Sequence, residues 1–421
     1  MPEVLGLSPG GKLSGEARVP GSKSEAQRAL VCAGLARGTT RIRGLPDGED
    51  VAAALALLEA SGVEVERAGN EAVVRSGGSL VAVGPVSVGE SGTLARLATA
   101  AFALTPPFGR MTEILAEGTL RGRTSAPLMR ALGKPRIAFL GEKDGWPVRA
   151  TSVEPGEELE LRDPVSSQEA SALLVALAAS ARSTRLSVRG TVPSAPYVRM
   201  TERVLERFGA PGRLAPPADP IEIEPDASSA AVLLAAACLS GGSVLVPGLG
   251  PDSLQGDVRI VEHLADFGCG ASMDARGLRA EGAPSRGAEI DLSHAPDLAP
   301  VLAAVAAAAA IRAGARSRLR GLATLRRKES DRLDVLAKGL AALGLTARVD
   351  AEALEIAPGR PRGERVRLDP AGDHRMAFAF ALLGLVVEGV EVQGAGCVAK
   401  SWPSFWDDVE RLGAGLHRAR A

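Results

Sequence analysis

The stretch ARVPGSKSEAQRALVCAGLA, residues 17–36, joins a short strand pattern, a Gly-Ser corner and a helix that is apolar on nearly every face. The same plan recurs five more times along the 421-residue chain, at intervals of 61–76 residues. A helix that is apolar all round is buried, so these segments predict six core helices. The other five segments are VSVGESGTLARLATAAFAL (86–104), LELRDPVSSQEASALLVALAA (159–179), IEIEPDASSAAVLLAAACL (221–239), EIDLSHAPDLAPVLAAVAAAAA (289–310) and VRLDPAGDHRMAFAFALLGL (366–385).

A second, one-sided helix follows most of these segments, as in DVAAALALLEASGVEVE (50–66) and DVRIVEHLADFGCGASM (257–273). Turns and short strand patterns lie before and after it. We therefore predict six β-α-β-α-β-β units, in which the first helix is buried and the second faces solvent on one side. Six units of about 70 residues predict an α/β protein with two similar domains of three units each.

Composition limits the possible functions. Hydrophobic residues make up 46% and charged residues 24% of the chain, as in soluble globular proteins, and the formal net charge is −1. We therefore expect no nucleic-acid or membrane partner and any cationic site to be local. No signal-peptide pattern is visible, and the longest apolar run, 301–311, is too short to span a bilayer. We expect a cytoplasmic monomer with no cofactor or metal, in which Cys32, Cys238, Cys269 and Cys397 are buried, reduced thiols.

Basic residues occur where helices begin. Lys23 and Arg28 fall in the first turns of a predicted helix, where a cation is unfavourable unless an anion lies between it and the free N–H groups. Further cations occupy other junctions between strands and helices. These are Arg123 in a Gly-rich loop, Lys328 and Arg332 four residues apart on one predicted helical face, Arg375 after the predicted cap Asp373, and Lys400 before a helix predicted to start at Ser401 or Pro403.

These cations predict a composite anion site. Arginine binds carboxylate and phosphate with two parallel hydrogen bonds, whereas lysine is a compact charge that can also transfer protons, so we expect ligands that carry both groups. Nearby polar residues suit a hydroxylated, phosphorylated small molecule, and two carboxylates, Asp297 and Glu329, could serve proton transfer. The polar residues are Ser166, Ser167 and Gln168 at one helix start, and Ser194 and Tyr197 in VPSAPY. Phosphate-loop, dinucleotide and metal-site motifs do not fit the sequence.

Nine sequence blocks resemble one known family in its order. They are GSKSEAQRAL, SGTLAR, SSQEASALL, SAPY, DASSA, GLGPDSLQGD, RRKESDRL, GDHRM and AKSWPSFW. The chain is similar along essentially its whole length to the 5-enolpyruvylshikimate-3-phosphate synthases, which are 3-phosphoshikimate 1-carboxyvinyltransferases. The resemblance implies two domains, each an inside-out α/β barrel of three repeats. Residues 1–20 and 226–421 would form a discontinuous domain, and residues 21–225 an inserted one.

The resemblance also implies the reaction. Phosphoenolpyruvate would give its carboxyvinyl group to the 5-hydroxyl of shikimate-3-phosphate through a tetrahedral intermediate, in aromatic amino-acid biosynthesis. Asp297 would take the hydroxyl proton, and Glu329 and Lys23 would handle protons at the methylene carbon. Contacts to phosphoenolpyruvate are expected from Lys23, Gly92, Arg123, Gln168, Arg332, Arg375 and Lys400. Contacts to shikimate-3-phosphate are expected from Lys23, Ser24, Arg28, Ser166, Ser167, Gln168, Ser194, Tyr197, Asp297, Thr324 and Lys328.

Three residues depart from the family pattern. Glu90 and Thr324 stand where the family has Asn, and Thr124 stands where it has Pro. Glu90 puts negative charge beside an anion site, so it either pairs with a cation or marks another substrate.

Two alternatives remain. One is carboxyvinyl transfer to a UDP-amino sugar, although such enzymes carry a reactive Cys in the loop corresponding to 109–127, which has none here. The other is a phosphometabolite-binding paralogue without activity, which would lack groups such as Asp297 and Glu329.

Overall fold

The computed structural model describes residues 3–141, 144–180, 182–209, 214–359 and 365–419. The chain divides into two compact units, which we name the discontinuous unit, Met1–Pro20 with Pro225–Ala421, and the inserted unit, Gly21–Glu224. The helices of the described residues are α1 (Lys23–Leu35), α2 (Glu49–Ala60), α3 (Gly92–Leu104), α4 (Ala126–Leu132), α5 (Ser167–Ala179), α6 (Pro196–Arg207), α7 (Ala227–Ser240), α8 (Ile260–Asp266), α9 (Ala299–Ala313), α10 (Arg332–Ala342), α11 (His374–Gly384) and α12 (Phe405–Arg411).

The strands are short, and most belong to small mixed sheets. In chain order they are β1 (Val4–Ser8), β2 (Ser14–Glu16), β3 (Arg37–Arg43), β4 (Glu64–Ala68), β5 (Glu71–Gly77), β6 (Val86–Ser87), β7 (Met111–Leu115), β8 (Ile137–Phe139), β9 (Val148–Thr151), β10 (Glu158–Arg162), β11 (Arg185–Arg189), β12 (Ile221–Glu222), β13 (Ser243–Pro247), β14 (Gly270–Asp274), β15 (Gly277–Glu281), β16 (Glu289–Asp291), β17 (Ser317–Arg320), β18 (Thr346–Val349), β19 (Ala353–Ala357), β20 (Val366–Leu368), β21 (Val390–Gln393) and β22 (Gly415–Ala419).

The first helix of each repeat lies in a core. Helices α1, α3 and α5 pack together in the inserted unit, and α7, α9 and α11 pack together in the discontinuous unit. Helix α7 is buried from Ser229 to Leu239, and α9 from Ala299 to Ala310. By contrast, α6 buries one stripe, Pro196, Met200, Thr201 and Val204. The predicted α/β fold with buried first helices and one-sided second helices is confirmed.

Of the six sheets formed by the described residues, five share one strand order. In each of these sheets the first strand of the repeat pairs parallel with the second. The second pairs antiparallel with the fourth, and the fourth pairs antiparallel with the third. The five sheets have the orders β12-β3-β5-β4, β6-β7-β9-β8, β2-β13-β15-β14, β16-β17-β19-β18 and β20-β21-β1-β22. The third repeat differs, because its sheet contains two described strands, the parallel pair β10 and β11. Residues 210–213, in the part of that repeat where its later strands were expected, lie outside the described residues.

Two repeats are not continuous in sequence, which corrects our expectation. We placed the strand pattern at 17–20 in one repeat with α1, and that at 221–224 in one repeat with α7. In the structure residues 17–20 are not a strand: β2, Ser14–Glu16, lies just before them and pairs with β13, which follows α7, while β12 pairs with β3, which follows α1. The chain passes from one unit to the other between the strand and the helix. The strand that precedes α1 therefore belongs to the repeat of α7, and the strand that precedes α7 belongs to the repeat of α1.

The N-terminal strand completes the last repeat. Strand β1 lies between β21 and β22 and pairs antiparallel with both. The discontinuous unit is therefore closed by residues from opposite ends of the chain.

The apolar run 301–311 belongs to a longer helical segment, Pro296–Ala313. By length and composition alone this segment could cross a membrane, so our length argument against a span does not apply to it. Of this segment, 78% is buried inside the discontinuous unit, as expected for a core helix. Cys32, Cys238 and Cys269 are buried as expected, but Cys397 is half-buried, which corrects our expectation for it; none of the four is in a disulfide.

Replacing Gly384 by alanine should destabilise the discontinuous unit. A Cβ atom there would overlap the carbonyl oxygen of Leu7 in β1, where the strand crosses the end of α11. We expect Gly384→Ala to lower the free energy of unfolding by about 1–3 kcal/mol, although alanine is the better helix former. Urea denaturation measures the change. Gly250→Ala is the matched control, since its nearest neighbour would be Asp274 O at 3.7 Å; an equal loss in both variants would contradict the close approach.

Candidate active site

A buried arginine organises the polar cluster of the discontinuous unit. Arg332, the first residue of α10, is 1% exposed. Its Nε and Nη2 donate to Asp373 at 2.7 and 3.1 Å, and Nη2 also donates to Glu329 at 2.7 Å. Its Nη1 donates to Asp297 at 2.9 Å. Burial alone would lower the pKa of Arg332, but the three carboxylates outweigh it and raise the pKa, so the charge is permanent.

Asp297 is surrounded by cations. Its Oδ1 lies 3.0 Å from Lys328 Nζ and 2.9 Å from Arg332 Nη1, and its Oδ2 lies 3.5 Å from Arg375 Nη2. Burial would raise the pKa of this carboxyl, but the charges of Lys328, Arg375 and Arg332 hold it well below its usual range. Asp297 is therefore ionised, and its basicity depends on how many of these cations remain directed at it. Burial also lowers the pKa of Lys328, an effect that Asp297 opposes.

The cluster is assembled from helix starts. Asp297 lies in the 3₁₀ turn Pro296–Leu298 just before α9. Asp373 caps α11 by accepting the backbone N–H of Arg375 at 3.0 Å, which confirms the predicted cap. Because α9 and α11 pack against each other and against α10, their first turns meet.

Two local predictions were wrong. Lys328 and Arg332 do not share a helical face, because Lys328 follows the 3₁₀ turn Ala323–Arg327 and Asp331 caps a new helix. The two side chains meet instead on Oδ1 of Asp297. The helix after Lys400 does not begin at Ser401 or Pro403: Lys400 ends the 3₁₀ turn Ala395–Lys400, and α12 follows Ser404.

Two further predicted site residues of the discontinuous unit are Lys400, which is buried, and Thr324, which is half-buried. Lys400 lies in a 3₁₀ turn that packs on α11. The hydroxyl oxygen of Thr324 is buried with no hydrogen-bond partner among the described residues, so it is available to a ligand.

In the inserted unit, Lys23 opens α1, as predicted, and the structure shows that Ser22 is the cap. Its Nζ lies 3.0 Å from Asp50 Oδ2. The unfavourable position of a cation at a helix N-terminus is therefore offset by a neighbouring carboxylate.

Arg28 is almost completely buried, and its guanidinium is bonded to the protein. Its side chain is 1% exposed, and it donates to Ser24 O at 2.7 Å, Thr201 Oγ1 at 2.7 Å and Ser171 Oγ at 3.2 Å. It also lies over the ring of Tyr197, 6.0 Å from its centroid. Burial lowers the pKa of Arg28 to about 10, so it stays charged at neutral pH.

Two guanidinium nitrogens of Arg123 have no hydrogen-bond partner among the described residues. Arg123 follows the 3₁₀ turn Gly118–Gly122, and the two nitrogens, Nε and Nη1, are buried. A Cβ atom on Gly92, at the start of α3, would lie 3.0 Å from Nη2 and 3.2 Å from Nη1. Buried donors without acceptors are costly, so this pair of residues indicates a place for an anion.

Helices α3 and α5 bring their first turns together here. Gln168 donates through Nε2 to Thr93 Oγ1 at 2.9 Å, and Ser166 caps α5 by accepting the Gln168 N–H at 3.3 Å. Ser167 is buried, whereas Ser194 and Tyr197 are half-buried at the start of α6. Ser194 has a positive φ of 54°.

A buried network that the sequence analysis missed fixes the Arg123 loop. Arg96 donates to Gly92 O at 2.8 Å and to Ser125 Oγ at 3.0 Å. Ser125 in turn donates to Glu169 Oε1 at 2.7 Å, and Glu169 Oε2 accepts the Val165 N–H at 2.9 Å. The sequence signal was an Arg and a Glu inside otherwise apolar core helices.

Glu90 contacts the same loop. Its Oε1 accepts the Thr119 N–H at 3.2 Å. A Cβ atom on Gly118, whose φ is +46°, would overlap this carboxylate. The acidic departure therefore lies against the backbone of the turn that leads to Arg123.

Comparison with known proteins identifies the family. A family model described as EPSP synthase (3-phosphoshikimate 1-carboxyvinyltransferase) matches residues 7–409. The chain belongs to this family. It is 35% identical to the 3-phosphoshikimate 1-carboxyvinyltransferase of Methanoculleus marisnigri, over 98% of this chain and all of that one. It is 36% identical to that of Syntrophobacter fumaroxidans, over 96% of this chain and 99% of that one.

Solved structures show the same fold. An EPSP synthase from Acinetobacter baumannii superimposes with a TM-score of 0.78 at 24% identity, over 99% of this chain and all of that one. The enolpyruvyl transferase NikO from Streptomyces tendae gives 0.72 at 19% identity, over all of this chain and 99% of that one. The expected family, fold and transferase class are thus confirmed, and the family's reaction is carboxyvinyl transfer in the shikimate pathway.

Removing the guanidinium of Arg332 should be far more costly than removing an exposed one. Arg332→Leu leaves Asp373, Asp297 and Glu329 without their common cation, so the free energy of unfolding should fall by about 3–5 kcal/mol. Arg318→Leu is the matched control, because Arg318 also binds two carboxylates but is 41% exposed, and it should cost about 1 kcal/mol or less. Urea denaturation at pH 7 compares them, and similar losses would show that burial of the cluster contributes nothing.

Proposed function

We propose that this chain transfers the carboxyvinyl group of phosphoenolpyruvate to the 5-hydroxyl of shikimate-3-phosphate and releases phosphate. The observation that carries the proposal is Asp297, an ionised carboxylate enclosed by Lys328, Arg332 and Arg375. The reaction needs cations for two anionic substrates and a base for a hydroxyl group, and this cluster supplies both.

The proposed donor contacts combine forked guanidinium groups with two lysines. The partnerless nitrogens of Arg123 support a phosphate or carboxylate at that position, because either would supply the missing acceptors. Gly92 supports it as well, since any side chain there would press on this guanidinium. The proposed contacts to phosphoenolpyruvate are Lys23, Gly92, Arg123, Gln168, Arg332, Arg375 and Lys400.

The proposed acceptor contacts are mainly hydroxyl and amide groups. The start of α5 offers Ser166, Ser167 and Gln168, where helix N–H groups favour a phosphate. Arg28 donates three of its five side-chain N–H groups to the protein, which leaves two for the acceptor. The proposed contacts to shikimate-3-phosphate are Lys23, Ser24, Arg28, Ser166, Ser167, Gln168, Ser194, Tyr197, Asp297, Thr324 and Lys328.

The proposed chemistry is addition followed by elimination. A proton adds to the methylene carbon, the acceptor oxygen bonds to the neighbouring carbon, and Asp297 takes the hydroxyl proton. The resulting tetrahedral intermediate then loses a methyl proton and phosphate, which breaks the C–O bond of the donor. Glu329 and Lys23 are the proposed groups that exchange protons with the methyl carbon.

Donor binding would make Asp297 a better base. The charges of Lys328, Arg375 and Arg332 hold its pKa low. A donor carboxylate or phosphate on Arg332 and Arg375 neutralises part of that charge, so the pKa of Asp297 rises when the donor is bound.

Turnover in heavy water tests the proposed reaction. With phosphoenolpyruvate and shikimate-3-phosphate, we expect free phosphate and a product with deuterium in its vinyl group, because the transient methyl group can lose any of its three hydrogens. Proton and phosphorus NMR report both. UDP-N-acetylglucosamine is the control acceptor and should give no product. A product without vinyl deuterium, or one that carries the donor phosphate, would refute addition–elimination.

Asp297→Asn should separate chemistry from binding. We expect kcat to fall at least about a hundredfold, the lower range for a lost general base. The dissociation constant for phosphoenolpyruvate should stay equal or decrease, because Lys328, Arg332 and Arg375 lose a competing anion. Steady-state kinetics and titration calorimetry measure the two effects.

Asp291→Asn is the matched control, since this carboxylate pairs with Arg320 at the surface and should leave both values unchanged. Parallel losses of binding and turnover in Asp297→Asn would show that Asp297 is structural.

A further inference from the structure

A second buried carboxylate lies behind Arg375 in the discontinuous unit. Asp257, in the 3₁₀ turn Gly256–Arg259, is 1% exposed. Its Oδ2 accepts a hydrogen bond from the hydroxyl of Ser228, the second residue of α7. Its Oδ1 has no hydrogen-bond partner among the described residues. A buried carboxylate with one oxygen that lacks a hydrogen bond destabilises the fold. Asp257 is therefore not explained by stability alone.

Ser228 connects this carboxylate to Arg375. Arg375 Nη2 donates to Ser228 Oγ at 3.0 Å. A serine hydroxyl has one proton to donate and two lone pairs that accept. Because Asp257 receives the proton, the lone pairs of Ser228 are directed to Arg375, and a hydroxyl that could otherwise rotate is fixed as an acceptor.

The same guanidinium also contacts Asp297. Arg375 Nη1 donates to the carbonyl oxygen of Asp297 at 3.3 Å, and Nη2 lies 3.5 Å from its Oδ2. The guanidinium is therefore held between Ser228, backed by Asp257, and Asp297. When Asp297 acts on a substrate, Ser228 and Asp257 remain as support.

The supporting pair is itself anchored. Gln255, two residues before Asp257, accepts the Ala227 N–H at 3.0 Å and donates to Pro225 O at 2.8 Å. These bonds tie the turn that carries Asp257 to the start of α7, which carries Ser228. Burial raises the pKa of Asp257 to about 6, with Arg375 opposing the shift, so the carboxylate is largely ionised at neutral pH.

We propose that Asp257, acting through Ser228, is a positioning residue that fixes the guanidinium of Arg375 for the carboxylate or phosphate of the carboxyvinyl donor. This inference rests on the proposed function, in which Arg375 contacts the donor. Asp257 does not touch a substrate in this role. Its effect should therefore appear in the use of phosphoenolpyruvate and not of shikimate-3-phosphate.

Substitutions on the Asp257–Ser228 pair test the proposal in the full chain. Asp257→Asn and Ser228→Ala should each raise KM for phosphoenolpyruvate about tenfold, the lower range for a hydrogen bond to a charged group. The double variant should match either single one, because both break the same connection. KM for shikimate-3-phosphate should not change. Ser228→Thr keeps the hydroxyl and should restore the wild-type value, and Ser229→Ala, at the adjacent position, is the matched control.

The outcomes separate this inference from the proposed function. The circular dichroism spectrum first shows whether Asp257→Asn is folded. If the wild-type chain makes product and the folded variant has the wild-type KM for phosphoenolpyruvate, the positioning role is wrong. Additive effects in the double variant, or equal changes in both KM values, overturn it as well. If the wild-type chain makes no product, the proposed function fails.

Crystal structures give a readout that does not depend on turnover. Arg375 should bond to Ser228 in the wild-type protein and leave it in Asp257→Asn, and an unmoved guanidinium in that variant contradicts the proposal.

Discussion

The geometry of the candidate site in the discontinuous unit depends on one buried guanidinium, that of Arg332. It holds carboxylates from three segments: Asp297 before α9, Glu329 before α10 and Asp373 at the cap of α11. One positive charge cannot balance three negative ones, so the cluster also needs Lys328 and Arg375 on Asp297. Buried ion pairs are commonly no more stabilising than apolar side chains of the same volume. The cluster is therefore better explained by its chemistry than by stability.

Small side chains in the core allow these groups to meet. Helix α9 is mostly alanine, and its buried residues let α7 and α11 approach it closely. The polar residues then fall at the first turns, where the helices converge and where free N–H groups favour anions. The inserted unit repeats the arrangement: Lys23, Gly92 and Gln168 belong to the first turns of α1, α3 and α5, which pack together. In both units the core sets the separation of the functional groups.

Local pattern made the core helices and most junction residues predictable. The N-terminal positions of Lys23 and the cap role of Asp373 depend on a few adjacent residues, and the sequence contains that information. The pairing of β2 with β13 and of β12 with β3 is not contained in local sequence, because the whole inserted unit separates the first pair and most of it separates the second. Lys328 and Arg332 were placed together for the wrong reason: a local spacing rule suggested one helix, whereas a distant acceptor, Asp297, brings them together.

The buried polar networks were the hardest features to predict. Arg96 and Glu169 are connected through Ser125, and Arg375 and Asp257 through Ser228, so each network needs a third residue from another segment. Glu90 shows the same limit. From the sequence, Glu90 was an acidic residue beside a predicted anion site. We expected it either to pair with a cation or to mark a different substrate. In the structure its carboxylate accepts the Thr119 N–H, at the turn that ends in Arg123. Glu90 therefore holds the backbone of the turn that leads to Arg123, and a charge that looked incompatible with an anion site helps to place a candidate anion-binding cation.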